Sequence, residues 1–333
     1  LLFGALAAIG VLLSGGLYTL LRVILPFPPM RAMAGWGVIV VLIGIALYVP
    51  LVDIAPAYRP PRVLTVDELP NRLRRVDIRV VDTLQLIGYT YDQALVQPGA
   101  TQRVTFYWRV LKATPHDFVL GMSLAGQANQ VVSKIDSWPG GGLAPTSQLA
   151  PGQIIEDTHH YPVASHAQEP SLLRLDISFW HHSPGQRLPI QVGTERRTSV
   201  RVPVGRLVRF EEPILVDGLA HFGESIVLRD SEWRFLSGDL QISTTWTATE
   251  TPDIDYTIFV HLLDESGSIV AQKDAPPLHG DWPTTAWLPH EPVRDTRRLD
   301  LPALSPGEFQ LAIGIYETES GQRLPATTPG DIL

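Results

Sequence analysis

Ten histidines and 34 acidic residues give this 333-residue chain ample raw material for metal or acid–base chemistry. Two adjacent pairs, His159-His160 and His181-His182, invite a metal hypothesis. Neighbours on a strand point to opposite faces, so such a pair chelates one ion poorly. His160, His166 and Asp176 could meet across strands, but the expectation is no metal site. Asp136 and Asp274 each precede a proline, Pro139 and Pro277. Such a carboxylate could bind a sugar or cation, but an Asp that caps the turn leaving a strand is the expected role. Trp138, Trp282 and Trp287 fall in loop-rich segments. They are the candidate ligand or contact surface, because exposed aromatics stack on sugar rings. Packing beneath a long loop is the expected role.

Catalytic signatures are missing from the sequence. There is no Gly-x-Ser-x-Gly elbow, no His-Glu-x-x-His, no phosphate-cradling glycine loop and no dinucleotide fingerprint. No pair of carboxylates stands out as a glycosidase couple. The absence of cysteine excludes disulfides, thiolate metal sites and a cysteine nucleophile. A net charge of −8 argues against a nucleic-acid partner. No catalytic residue, cofactor or metal ligand is therefore assigned.

The elements that would position these residues differ sharply along the chain. Residues 1–25 are apolar except for Arg22, and residues 33–52 carry no charge. Each stretch is long enough to cross a hydrocarbon core of about 30 Å as a helix. The expectation for 1–52 is a transmembrane hairpin whose turn is Pro26-Phe27-Pro28-Pro29-Met30-Arg31. Arg22 and Arg31 flank that turn and place it in the cytoplasm by the positive-inside rule. Everything from Asp53 onward is then extracytoplasmic, at the cell membrane. A cleaved signal peptide fits less well, for want of a basic leading region and a cleavage motif. The chain opens inside an apolar run without Met. More transmembrane sequence is therefore expected upstream. Residues 53–76 read as a stiff Pro-rich juxtamembrane linker. Within it, Arg72, Arg74 and Arg75 suit lipid headgroups or plain solvation.

The rest of the chain repeats itself with an offset of about 138 residues. Trp108 aligns with Trp246, Asp117 with Asp255, and Asp136 with Asp274. Pro145-Thr146 aligns with Pro283-Thr284, and Asp157 with Asp295. Two residues then drop out, and Gly-Gln-Arg-Leu-Pro at 185–189 matches the same five residues at 321–325. Repetition at this length means two similar folding units. Residues 103–110, 118–124, 172–180, 240–248, 256–263 and 309–316 alternate or run apolar as strands do. Trp108 and Trp246 fall mid-strand and are expected in the cores. The fold class is thus membrane-anchored and mainly β. Two N-terminal transmembrane helices precede two tandem immunoglobulin-like antiparallel β-sandwiches, at 77–205 and 206–333. The crossover between them is placed in residues 199–222.

Several motifs together resemble one family. They are Ala55-Pro56-Ala57-Tyr58-Arg59-Pro60-Pro61 after the exit helix, Leu86-Ile87-Gly88-Tyr89, Val96-Gln97-Pro98-Gly99 and the Phe106-Tyr107-Trp108 strand. Residues 256–264 (YTIFVHLLD), 270–274 (VAQKD) and Pro283-Thr284 complete the set. The chain is similar throughout to the C-terminal part of large bacterial membrane proteins of the family 39 glycosyltransferases, which resemble protein mannosyltransferases and lipid-A aminoarabinose transferases. The resemblance implies a polyprenyl-phosphate sugar donor for the whole protein. It also implies a catalytic acid in a first extracytoplasmic loop, and no residue here matches that motif. The expected function is the non-catalytic C-terminal portion of such a protein, its sandwiches positioning acceptor or glycan or contacting protein. The alternatives are an accessory subunit of a larger membrane complex, or a tandem carbohydrate-binding module. Glycines at 4, 10, 15, 16, 35, 37 and 44 would let helices approach closely in such a complex. The expected partners are the lipid bilayer, further membrane chains or a missing transmembrane domain, and glycan.

Overall fold

The computed structural model describes residues 15–328, apart from 17, 21, 26, 56, 57, 183, 184, 209–217, 237 and 305. The chain divides into two compact units, residues 1–60 and 61–333.

In the first unit, helix α1 spans Pro28–Tyr48 and continues through a wider π-helical turn, Val49–Ile54. Among the described residues, one helix is long and apolar enough to cross a membrane, with Pro28–Val52 as its apolar extent. The other expected span lies mostly outside the described residues, although 15–16, 18–20 and 22–24 are helical. The expected turn at residues 26–31 is shorter than its composition suggested. The helix starts at Pro28, because a proline in the first turn forfeits only an N–H that has no intrahelical partner. Arg31 therefore lies in the helix's first turn, and its Nε donates to the Leu25 carbonyl at 2.6 Å. The Arg22 guanidinium stands 5.5 Å from the centre of the Tyr18 ring.

The second unit holds two β-sandwiches. The strands of the first are β1 (Val63–Leu64), β2 (Arg74–Val80), β3 (Leu84–Tyr91), β4 (Leu95–Val96), β5 (Thr101–Val110) and β6 (Phe118–Ala125). They continue as β7 (Val131–Ser137), β8 (Ile154–Pro162), β9 (Ser171–His181), β10 (Ile190–Val192), β11 (Glu195–Arg197) and β12 (Val200–Leu207). They form a seven-stranded sheet, β1-β8-β5-β3-β2-β10-β11, packed on a five-stranded one, β4-β12-β9-β6-β7. Pairing is antiparallel except between β4 and β12. Strand β9 shows how the sequence makes this layer. Its residues alternate buried and half-buried along Ser171–His181, with Leu173, Leu175, Ile177 and Phe179 turned inward. Trp108 and Phe106 of the facing sheet join the same core, and the Trp108 and Phe179 rings meet edge-on at 5.4 Å.

Two stretches read as connections turn out to be strands. β1 pairs with β8, Val63 opposite Ile155, so the chain joins the sheet well before residue 77. Arg74 lies in β2 and stacks its guanidinium on Tyr91 at 4.8 Å. The Pro-rich composition hid the β1 pairing, because an edge strand tolerates proline beside it. Likewise β12 carries the first sandwich through Leu207.

The second sandwich consists of β13 (Ala220–Phe222), β14 (Ile226–Leu236), β15 (Asp239–Ala248), β16 (Tyr256–Leu263), β17 (Ile269–Ala275), β18 (Val293–Asp300), β19 (Gln310–Glu317) and β20 (Ala326–Thr327). Their order is β18-β15-β14-β13-β20 in one sheet and β17-β16-β19 in the other. Trp246, Ile242, Ile258, Val260 and Ile315 share its core.

Candidate functional site

The polar residues that recur in both copies converge where loops meet strands. Thr146 follows Pro145 in a short 3-10 turn. Its hydroxyl donates to the His116 carbonyl at 2.6 Å and accepts the Phe118 N–H at 2.9 Å. Thr284 does the same to Ile254 and Tyr256, at 2.9 and 3.0 Å. Asp117 accepts the Ser147 N–H at 3.0 Å, and Asp255 accepts the Thr285 N–H at 3.1 Å. The repeated Asp and Pro-Thr thus hold a long loop against the first turn of the strand that starts at Phe118 or Tyr256. Each bond satisfies a backbone group that the loop would otherwise leave orphaned.

A second pair of equivalents is fully buried. Asp157 accepts the indole N–H of Trp108 and the Gly141 N–H, both at 2.9 Å. His159 Nε2 stands 2.7 Å from the same carboxylate. In the second copy Asp295 accepts the Leu278 N–H at 2.8 Å and Arg297 Nε at 2.8 Å. Arg297 takes the place of His159. Its remaining N–H groups donate to the Ile258 and Ala275 carbonyls at 2.7 and 2.9 Å. Trp246, deprived of the carboxylate, donates to Thr244 Oγ1 at 2.8 Å. A buried ion pair needs this full complement of bonds to offset the loss of water.

The matched Gly-Gln-Arg-Leu-Pro turns form a third recurring arrangement. Arg187 lies over the Trp180 ring at 5.5 Å, and Arg323 over Phe259 at 4.5 Å. Each ring covers a glycine on the neighbouring strand. A Cβ on Gly121 would fall 1.9 Å from the Trp180 ring, and one on Gly314 2.3 Å from Phe259. The aromatic and the glycine have exchanged strands between the copies while the stacked pair survives.

The candidate residues separate. Trp282 and Trp287 are fully buried in the second core, and the Trp287 indole donates to the Trp282 carbonyl at 3.1 Å. They are therefore not a surface for ring stacking. The loop that carries them turns both rings into the second core. Trp138 is half-buried, edge-on to His182 at 5.9 Å. Asp136 and Asp274 do not cap turns. Asp136 pairs with Lys134 at 3.1 Å and Asp274 with His261 at 3.0 Å. His160 and His166 are exposed, while Asp176 is engaged by Arg201 at 2.8 Å. Among the described residues no three His, Asp or Glu side chains gather as a metal site.

Sequence reasoning missed the junction between the sandwiches. Asp281 accepts Arg174 Nη1 at 3.1 Å and the Ala128 N–H at 2.6 Å, and its carbonyl accepts the Leu172 N–H at 2.9 Å. Arg174 also donates to the Gly280 carbonyl at 2.6 Å. Arg206 reaches the Ala286 carbonyl at 3.2 Å. Asp281 has no acidic counterpart in the first copy, where Leu143 stands. A search for repeated residues therefore passes over it.

No family model matches the chain, and no curated protein matches it. Among solved structures, a DUF4785 family protein from Legionella pneumophila is similar to it at 13% identity, with a TM-score of 0.21. The alignment covers 76% of this chain and 55% of that one, so the chain spans about half the length of that protein.

Proposed function

We propose that this chain is the non-catalytic, extracytoplasmic portion of a glycosyltransferase-like membrane protein. Its apolar helix is a membrane anchor, and its two immunoglobulin-like sandwiches make protein contacts outside the cytoplasm. The observation that carries the reading is how the repeated polar residues are used. Thr146, Thr284, Asp157 and Asp295 all spend their bonding capacity inside the fold. What duplication preserved here is scaffold. The bonded junction at Asp281 supports the same reading, because it joins the two sandwiches through charge-assisted bonds. The burial of Trp282 and Trp287 weighs against a tandem carbohydrate-binding module.

Purification of the native protein from membranes in mild detergent tests this. The chain's residues should be found continuous with, or in fixed stoichiometry with, a multi-spanning membrane protein. A lone, monodisperse chain of this length would contradict the reading.

A further inference from the structure

Three adjacent strands of the first sandwich serve both cores. In β4, Val96 lies in the first core and its neighbour Leu95 packs against the second. In β9, Leu173 and Leu172 divide in the same way. At the end of β12, Leu207 belongs to the first core, and Val208 just beyond it is buried in the second. Successive residues of a strand point to opposite faces, so the alternation that fills one core also contributes to the other. Leu95, Arg206 and Leu172 are register partners across β4, β12 and β9, and so share a face. All three meet the second sandwich, where Arg206 donates to the Ala286 carbonyl at 3.2 Å.

Polar bonds extend this row sideways. Two residues along β9 from Leu172, Arg174 donates to Asp281 at 3.1 Å and to the Gly280 carbonyl at 2.6 Å. Both side chains of that ion pair are largely buried. Asp281 also accepts the N–H of Ala128, in the turn between β6 and β7. Ala128 and Asn129 hold φ values of 53° and 59°, in the left-handed region that a Cβ disfavours. In the second copy Gly267 stands where Asn129 does and takes that region freely, at φ 80°. The first copy's turn meets Asp281 in this costlier conformation, and Arg201 of β12 braces it through Asn129 Oδ1 at 2.7 Å.

We infer that the two sandwiches form one rigid arm, in which the second is held at a fixed angle by the end of the first. Domains in one chain ordinarily move relative to each other unless their interface is extensive and apolar. A single contact point would act as a hinge. Here the contacts are spread over β4, β12, β9 and the β6–β7 turn, roughly 14 Å across at the usual strand spacing. Apolar burial lies in the middle of the joint and charge-assisted bonds at its side, a combination that resists both bending and twisting. A partner therefore meets one fixed surface made by both sandwiches. This goes beyond the scaffold reading and does not depend on it, since it concerns only how the two sandwiches are joined.

The test uses the full chain in detergent, whose lack of cysteine allows spin labels to be placed in pairs. Lys112→Cys with Glu319→Cys spans the joint. Lys112→Cys with Thr194→Cys lies within the first sandwich, and Lys273→Cys with Glu319→Cys within the second, all at exposed positions. Double electron–electron resonance should give a spanning distance distribution with one peak, no broader than those of the two internal pairs. A broad or multi-peaked spanning distribution beside narrow internal ones would overturn the inference, with no variant needed. Adding Arg174→Ala and Asp281→Ala should broaden the spanning distribution while the internal pairs stay narrow. A spanning distribution as narrow as before would remove the ion pair from the account of the joint.

Discussion

Trp108 donates its indole N–H to Asp157, while its counterpart Trp246 donates to Thr244, two residues away on the same strand. The switch follows from one substitution between the copies. Where the first has His159 beside the buried carboxylate, the second has Arg297, which takes both oxygens of Asp295. The tryptophan keeps its place in the core and finds another acceptor, as a buried indole N–H must.

Asp295→Asn should therefore be far more damaging than its repeat position alone suggests. It leaves the Arg297 guanidinium buried without a counter-charge, at a cost of about 3–5 kcal/mol. Asp157→Asn removes a carboxylate that serves two N–H donors and should cost about 1–3 kcal/mol. Chemical denaturation of the two variants checks the order.

The threonine clamps should prove interchangeable in energy. Thr146→Val and Thr284→Val each strand one backbone N–H and one carbonyl, so each should cost about 1–3 kcal/mol. A marked loss in one copy and none in the other, measured by thermal unfolding, would show that the matching geometry does not carry matching weight.

Trp287→Ala should lower the stability of the second sandwich by about 3–5 kcal/mol, the usual cost of emptying a buried tryptophan site. Denaturant midpoints followed by tryptophan fluorescence measure this. A change near zero would mean the ring is not held in the core.

Much of this was legible in the sequence, and the limits are instructive. Alternation along residues 103–110 and 172–180 marks two core strands, and the repeated Asp and Thr positions mark the clamps. Two things were hidden. One was the fate of each loop tryptophan: Trp282 and Trp287 pack beneath their loop, as expected, while Trp138 stays half-buried. The other was any interaction built by a residue that differs between the copies. Arg297 and Asp281 are the main examples, and both do their work through partners distant in sequence.

Alkaline pH should weaken the first sandwich in a definable window. Burial pushes the Tyr89 hydroxyl up from 10.0 to about 12 and raises Tyr161 in the same direction. A raised value favours the protonated, folded form. The stability from these groups is therefore complete below about pH 10 and is lost as pH climbs from there through the folded value. Denaturation midpoints from pH 8 to 11.5 should fall with a slope that Tyr161→Phe reduces. An unchanged slope in that variant would assign the loss to other groups.

The location of the sandwiches is the central matter, and the chain's lack of cysteine makes it directly measurable. Lys112→Cys and Glu319→Cys would each place a single thiol at an exposed position, one in each sandwich. Intact cells treated with a membrane-impermeant maleimide should label both. Labelling only after the cells are lysed would contradict an extracytoplasmic placement.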